Sequence, residues 1–306
     1  MDYYKKIFRN KHLRFIILSV LNVFPDKFLV ESEYRIKTGR KLNLESPERY
    51  TEKLQYYKLY YRDPKMVQCV DKYRVRDYVA EKGLENILNE QYAVFESADE
   101  ISFDGLPDRF VLKLSNGSNT NLFFENKNSY TIEETKKQFK RFLVQSRSNA
   151  GCEWVYNECT PVIIAEKYMK DPLYPDESIP DYKFLCFDGR PEYVIVDRGR
   201  FSDHRRNIYD TSWKDLHIVS DCKAIETEHP KPEQLPQMLE IAAKLSEGFP
   251  AARIDLYIVE GKIYFGEITF FPWSGYVVFD PDEFDFELGK RFVLPENRQS
   301  KAPEDS

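Results

Sequence analysis

The sequence predicts an α+β fold, and two observations lead to it. Short apolar segments flank the tight-turn pairs Asp188-Gly189 and Glu260-Gly261, the pattern of antiparallel hairpins. Helical patterning fills residues 1–66 and then recurs in only a few segments, rather than after every strand as a doubly wound parallel sheet requires.

The elements follow in order. Ser46-Pro47 reads as a capped helix start, with Ser46 as N-cap and Pro47 at the first helical position. Leu54, Tyr57, Lys58 and Tyr61 share one face of that helix and form a core stripe. A second helix begins at Asp63-Pro64 and runs through Asp71-Lys72-Tyr73 to Lys82, with Gly83 as its stop. Phe110–Leu114 is a strand, residues 115–121 a polar loop, and Leu122–Phe124 the returning strand. Thr131 to Ser146 is a helix opened by a Thr131/Glu134 capping box. Pro161–Tyr168 is a strand, and Tyr182–Phe187 with Tyr193–Val196 a hairpin. Gln234–Ser246 is helical, and Arg253–Val259 with Lys262–Thr269 a second hairpin. The segment from Pro295 is a polar tail.

Composition bounds the function. The chain has 306 residues, 42% of them hydrophobic, which is ample for a core without covalent staples. Its net charge of −6 argues against a broad nucleic-acid-binding surface. Five cysteines without a C-x-x-C pair indicate neither a zinc knuckle nor a disulfide framework, so a reducing cytoplasm is the expected location. The run Phe15–Leu21 follows Lys5, Lys6, Arg9, Lys11 and Arg14 and is too short to span a bilayer. It reads either as a helix docked on the core or as a basic peripheral contact with the inner face of the plasma membrane.

Four features carry candidate chemistry. Lys113 lies inside an apolar strand just before a Gly/Ser/Asn loop, so it needs an anionic partner, and a phosphate held by the amides of Ser115, Gly117 and Ser118 would be one. Asp71-Lys72 lies on a helix, and by itself reads first as a solvated surface pair. Glu166-Lys167-Tyr168-Met169 ends an apolar strand, where backbone groups can meet an adenine edge. Asp255 and Glu267 lie within neighbouring apolar strands, where two hard carboxylates can hold Mg²⁺ once phosphates complete the octahedron. Arg253 shares the face of Asp255, and a salt bridge from Arg253 to either carboxylate is the alternative.

Register tests the metal reading. A plain two-residue turn at 260–261 puts Asp255 opposite Gly266 and turns Glu267 to the other face. The metal site therefore requires a three-residue turn or a bulge near 260–262.

The order of these features resembles the ATP-grasp pattern, and more closely the TupA-like ATP-grasp proteins of teichuronopeptide and other surface-polysaccharide biosynthesis. The matching stretches include Asp71–Arg76, Pro107–Lys113, Asp181–Phe184, Arg206–Asp210, Arg253–Tyr257 and Ile263–Thr269. The resemblance implies an ATP-grasp fold of two α+β lobes clasping ATP. A helical segment spans 1–66, an N-terminal lobe with a phosphate loop 67–168, a C-terminal lobe with the Mg²⁺ site 169–294, and a polar tail 295–306. It implies an ADP-forming ligase that joins an amine to a carboxylate through an acyl phosphate, with ATP and Mg²⁺ as cofactors. The expected partners are a saccharide carboxylate, such as a uronic acid, and an amine donor.

Residue by residue, the resemblance makes Lys72 and Lys113 the phosphate-facing lysines. Glu166, Lys167 and Met169 become the adenine hinge, and Asp255, Glu267 and Thr269 the metal ligands. Arg253 and Lys183 lie on the γ-phosphate side. Arg206, with Arg200 and Arg205, is assigned to the acceptor carboxylate, for which arginine is suited. The chain departs from the family in a phosphate loop poor in glycine and in Trp273 where a glycine is usual. The competing readings are a metal-dependent glycosyltransferase using Asp280-Pro281-Asp282, a non-catalytic ATP-binding subunit, and a phosphotransferase that stops at a phosphorylated product.

Overall fold

The computed structural model describes residues 24–146, 152–175, 178–200, 202–226 and 229–295. The Phe15–Leu21 run lies outside these residues, as does nearly all of the polar tail. Among the described residues, no helix is long and apolar enough to cross a membrane.

Among the described residues, four helices come first: α1 (Asp26–Thr38), α2 (Tyr50–Tyr60), α3 (Pro64–Val70) and α4 (Val75–Glu81). α2 starts later than Ser46-Pro47 suggests. Ser46 turns back onto Asn43, and the Glu52 carboxylate accepts the N–H groups of Glu48 and Arg49, 3.0 and 3.1 Å away, so Arg49 is the boundary residue. The single helix expected over 64–82 is two. The Asp71 carboxylate accepts the N–H groups of Tyr73 and Arg74, which turns the chain and starts α4 afresh. Lys72 therefore sits in a turn, not on a helix. Gly83 does stop α4, at φ +70°.

Both sheets are wholly antiparallel. The first has the order β1-β4-β2-β3, from β1 (Gln91–Phe95), β2 (Phe110–Leu114), β3 (Asn121–Phe124) and β4 (Ile163–Lys167). Its core joins Phe110, Leu112 and Phe124 to Phe139 and Phe142 of α5 (Ile132–Ser146). The capping box at Thr131 and Glu134 starts α5. A short α6 (Trp154–Asn157) follows.

The second sheet has the order β7-β6-β5-β8-β9, from β5 (Asp181–Phe187), β6 (Arg190–Arg198), β7 (Arg205–Asp210), β8 (Ala251–Val259) and β9 (Lys262–Thr269). Its core takes in α7 (Leu235–Ser246), Phe284 and Leu288 of α8 (Glu283–Arg291), and Leu54, Tyr57, Met66 and Val79 from α2–α4. Leu54, Tyr57 and Lys58 of the expected stripe are fully buried. β1, α6, β7 and α8 are additions to the expected elements.

Candidate active site

Site formation begins with register. The 260–261 turn keeps its two-residue form, with Glu260 at φ +49° and Gly261 at φ +77°. Val259 pairs with Lys262 and Leu256 with Phe265, yet Asp255 pairs with Glu267. The one-residue slip is a bulge at Gly266. The required bulge thus exists, but at Gly266 and not near 260–262. A Cβ at Gly266 would stand 2.8 Å from the Tyr257 ring and 2.9 Å from the Asp255 carbonyl oxygen, so only glycine fits. On the other side Lys183 pairs with Asp255, which gives a row Lys183–Asp255–Glu267 across β5, β8 and β9.

That row is a charge network. The Lys183 ammonium donates to Asp181 and, at 2.8 Å, to Asp255, and lies 3.9 Å from Asp197. Burial opposes its charge, but Asp181 and Asp255 outweigh burial and hold its pKa above the ordinary lysine value. Arg253 donates through Nε and Nη2 to Asp255 at 2.7 and 2.8 Å. The same Nη2 reaches Glu267 Oε1 at 3.2 Å and Thr269 Oγ at 3.3 Å. Burial would raise the Glu267 pKa, yet Lys72 and Arg253 bring it down to about 2. Burial raises that of Asp255, against the pull of Arg253 and Lys183.

Three oxygen donors, from Asp255, Glu267 and Thr269, thus converge on one cationic nitrogen of Arg253. The set suits Mg²⁺, a hard cation that takes carboxylate and hydroxyl oxygens. Arg253 and Thr269 both meet Oε1 of Glu267, leaving Oε2 for another cation. Asp255 becomes a ligand only as Arg253 turns away, so the alternative salt bridge is the arrangement seen here.

Two cavities meet at Glu267. A cavity of about 250 Å³ is lined by Lys72, Lys113, Gly117, Glu166, Met169 and Glu267, among others, so it lies between the two sheets. One of about 690 Å³ shares Lys72, Gly117 and Glu267 and adds Lys183, Arg253 and Trp273. A third, of about 520 Å³, adjoins the first at Lys113 and Met169. Arg200 lines all three.

The family described as TupA-like ATPgrasp matches residues 52–293. The chain belongs to the TupA-like ATP-grasp family. None of the curated proteins compared with it matches significantly. Among solved structures, D-alanine–D-alanine ligase from Helicobacter pylori is 17% identical, with 79% of this chain and 67% of that one covered and a TM-score of 0.44. For the same ligase from Bacillus anthracis, complexed with ATP, the values are 16%, 66%, 53% and 0.38. For an L-amino acid ligase from Bacillus licheniformis they are 13%, 68%, 42% and 0.40. The chain spans about half the length of the Bacillus anthracis ligase.

Within this ATP-grasp chain the expected residues divide. Lys72, Lys113, Gly117 and Ser118 line the smaller cavity. The Lys72 ammonium donates to the Gly117 carbonyl at 2.8 Å. Gly117 is sterically required, because a Cβ there would lie 2.1 Å from Thr120 Oγ1. The anionic partner of Lys113 is Glu166, at 2.7 Å. Glu166 is thus held by the lysine, with Asn89 and Arg76 around it, on the wall of the smaller cavity.

Ser115 is placed elsewhere. Its hydroxyl donates to Asp71 and accepts from the Val162 N–H, so it fixes the base of the loop and lines none of the three cavities. The Lys167 N–H donates to Glu90 and its carbonyl accepts from Asn89, and its side chain lies on the third cavity. Of the hinge, Met169 borders both the first and third cavities.

Arg206 sits on β7, buried, and grips Asp197 with Nε at 2.5 Å and Nη2 at 3.0 Å while Nη1 binds Asp221. Its fork is filled by protein carboxylates, so it does not stand open to a substrate. Arg205 is likewise engaged, by Asp203 and Glu226. Arg206 and Arg253 also border the larger cavity, but Arg200, exposed and touching Asp181 at 3.3 Å, lines all three cavities. In Asp280-Pro281-Asp282, Arg40 and Arg49 hold Asp282, and the Asp280 backbone pairs with Val219.

Sequence reading did not single out Asp181 and Asp197, the buried carboxylates that hold Lys183 and Arg206. Their signal was charge inside strands that otherwise read as apolar. The backbone at Trp273 was also unforeseen. Trp273, Ser274 and Gly275 all lie in the left-handed region, at φ 53°, 52° and 70°. That conformation explains why glycine suits position 273. Buried side chains hold the turn: Lys58 and Gln55 donate to the Ser274 carbonyl at 2.9 Å, and Gln55 also to that of Gly275. The turn sets the indole at the cavity wall, where its N–H donates to Asp221 at 3.1 Å.

Proposed function

We propose that this chain is an ATP-dependent, ADP-forming carboxylate–amine ligase, acting on a uronic acid carboxylate of a bacterial surface polysaccharide or its precursor. One observation supports this above the others: two lysines and a glycine-bearing loop share a cavity wall with Glu267, next to a larger cavity edged by Lys183, Arg253 and Arg200.

In this reading Lys72, Lys113 and the Gly117–Ser118 amides bind the ATP phosphates. Mg²⁺, held by Glu267 and Asp255 with Thr269 beside them, supplies charge neutralisation at those phosphates. Arg253 turns from Asp255 to the γ-phosphate side, and Lys183 keeps Asp255 in place. Arg200 receives the acceptor carboxylate in the larger cavity. A carboxylate oxygen bonds to the γ-phosphorus as the bond to ADP breaks. The amine nitrogen then bonds to the acyl carbon, phosphate leaves, and the amine proton passes to solvent. The chain contributes position and charge rather than covalent chemistry.

Hydroxylamine trapping tests the reading. With ATP, Mg²⁺ and oligomeric glucuronate, a ligase gives ADP and a hydroxamate in equal amounts. ADP without hydroxamate would point to a phosphotransferase, and neither product would remove the acceptor class.

A further inference from the structure

A second group of side chains lies at the edge of the larger cavity, on the far side of Lys183 from Asp255. Asp197 is the last residue but one of β6, His204 precedes β7, and Cys222 lies on the segment beyond β7. One donor atom from each lies within 4.8 Å of the others, the one such group among the described residues. His204 Nε2 stands 3.2 Å from Asp197 Oδ1. That nitrogen is itself buried and makes no hydrogen bond of good geometry. An ion shared between the imidazole and the carboxylate would hold the two at about this separation.

We propose that Asp197, His204 and Cys222 form a binding site for a divalent ion of the zinc class, with a fourth position open to the larger cavity. The donor set decides the class. Sulfur, imidazole nitrogen and one carboxylate oxygen suit Zn²⁺ and not Mg²⁺, which takes oxygen alone. Tetrahedral bonds of about 2.0 to 2.3 Å put donor atoms roughly 3.3 to 3.8 Å apart. The Asp197–His204 separation of 3.2 Å is close to this, and the Cys222 sulfur, within 4.8 Å of both, would have to move closer.

Charge permits the site despite Arg206, which grips Asp197, and Lys183, 3.9 Å from the same carboxylate. On binding, the Cys222 thiol gives its proton to solvent. Thiolate and carboxylate then cancel the ion's two charges, so Arg206 faces a neutral cluster. Asp197 and His204 line the cavity, and three protein ligands leave room for one exchangeable ligand there.

The test uses the whole chain, freed of metal by a chelator. Zn²⁺ is titrated in competition with a chromophoric chelator, and Co²⁺ is added as a spectroscopic substitute. The expected result is one ion per chain with a thiolate-to-cobalt charge-transfer band. The band is lost in Cys222→Ser, and Zn²⁺ binding falls at least roughly tenfold in Cys222→Ser and in His204→Gln. Alkylation of the unmutated chain is a second measurement that needs no variant. Cys222 is half-buried while the other four cysteines are buried, and one equivalent of Zn²⁺ slows its labelling by an uncharged maleimide. No band, equal affinity in both variants, or unchanged labelling of Cys222 would each overturn the site. Nucleotide takes no part, so the outcome is independent of the ligase reading.

Discussion

Asp255 stands directly opposite Glu267, and the bulge at Gly266 is what puts it there. A continuous ladder from the two-residue turn would send the two carboxylates to opposite faces of the sheet. One residue without a side chain thus decides whether the carboxylates meet.

Gly266→Ala tests this dependence. The new Cβ meets the Asp255 carbonyl at 2.9 Å and the Tyr257 ring at 2.8 Å, so the strand must shift. The expected cost is about 1–3 kcal/mol of stability. Stabilisation by ATP with Mg²⁺, read by thermal shift, should fall in the same variant. Full retention of that stabilisation would separate the bulge from the site.

Lys183→Met leaves Asp181 and Asp255 buried without their shared cation. Removing one partner of a buried ionic network costs roughly 3–5 kcal/mol. Urea unfolding should show a loss of that size, and a loss under 1 kcal/mol would mean that Arg253 and Arg200 suffice.

Glu166 predicts a pH dependence. Burial raises its pKa, but Lys113 outweighs burial and the net shift is downward from 4.5. A carboxyl lowered in the folded state stabilises the fold above its unfolded pKa and ceases to do so as pH falls through the folded one. The stability gap between the wild type and Glu166→Gln should therefore be greatest near neutrality and close on acidification below pH 4.5. Urea midpoints measured across that range check it, and a constant gap would contradict it.

Gly275→Ala and Gly39→Ala form a matched pair. Both glycines have positive φ, 70° and 76°. At Gly39 a Cβ has nothing within 4 Å, so only backbone strain of about 1 kcal/mol is expected. At Gly275 it meets Gln55 Nε2 at 2.4 Å and Leu54 Cβ at 3.1 Å, so Gly275→Ala should cost clearly more. It should also shift the emission of the neighbouring Trp273. Equal unfolding free energies would mean that Gln55 does not clamp the turn.

Much of this fold is legible in the sequence, because hairpin turns and hydrophobic alternation are local signals. Asp188-Gly189 and Glu260-Gly261 mark both hairpins, and Thr131 with Glu134 marks the start of α5. What is missed depends on contacts distant in sequence. β7 opens with Arg205-Arg206-Asn207, a charged start with no apolar strand signal, yet Arg206 is buried because Asp197 lies opposite it on β6. β1 is half-buried throughout, so its apolar pattern is faint. α8 follows Asp282, whose partners Arg40 and Arg49 are far back in the chain. The break at Asp71 is a side chain competing with the helix for backbone N–H groups. For the site, the residue types and their order are readable and the ionic partners are not: Glu166 for Lys113, Asp181 for Lys183, Asp221 for Arg206. The bulge did leave a mark, since a glycine inside a strand signals one.

The measurement that bears most directly on the central claim is thermal unfolding with ATP, with and without Mg²⁺, for the wild type and Asp255→Asn/Glu267→Gln. A ligand that binds only the folded chain must raise its stability. The account predicts a rise with ATP that grows with Mg²⁺ in the wild type and loses its Mg²⁺ dependence in a variant that still unfolds cooperatively. No rise in the wild type at saturating ATP would contradict it.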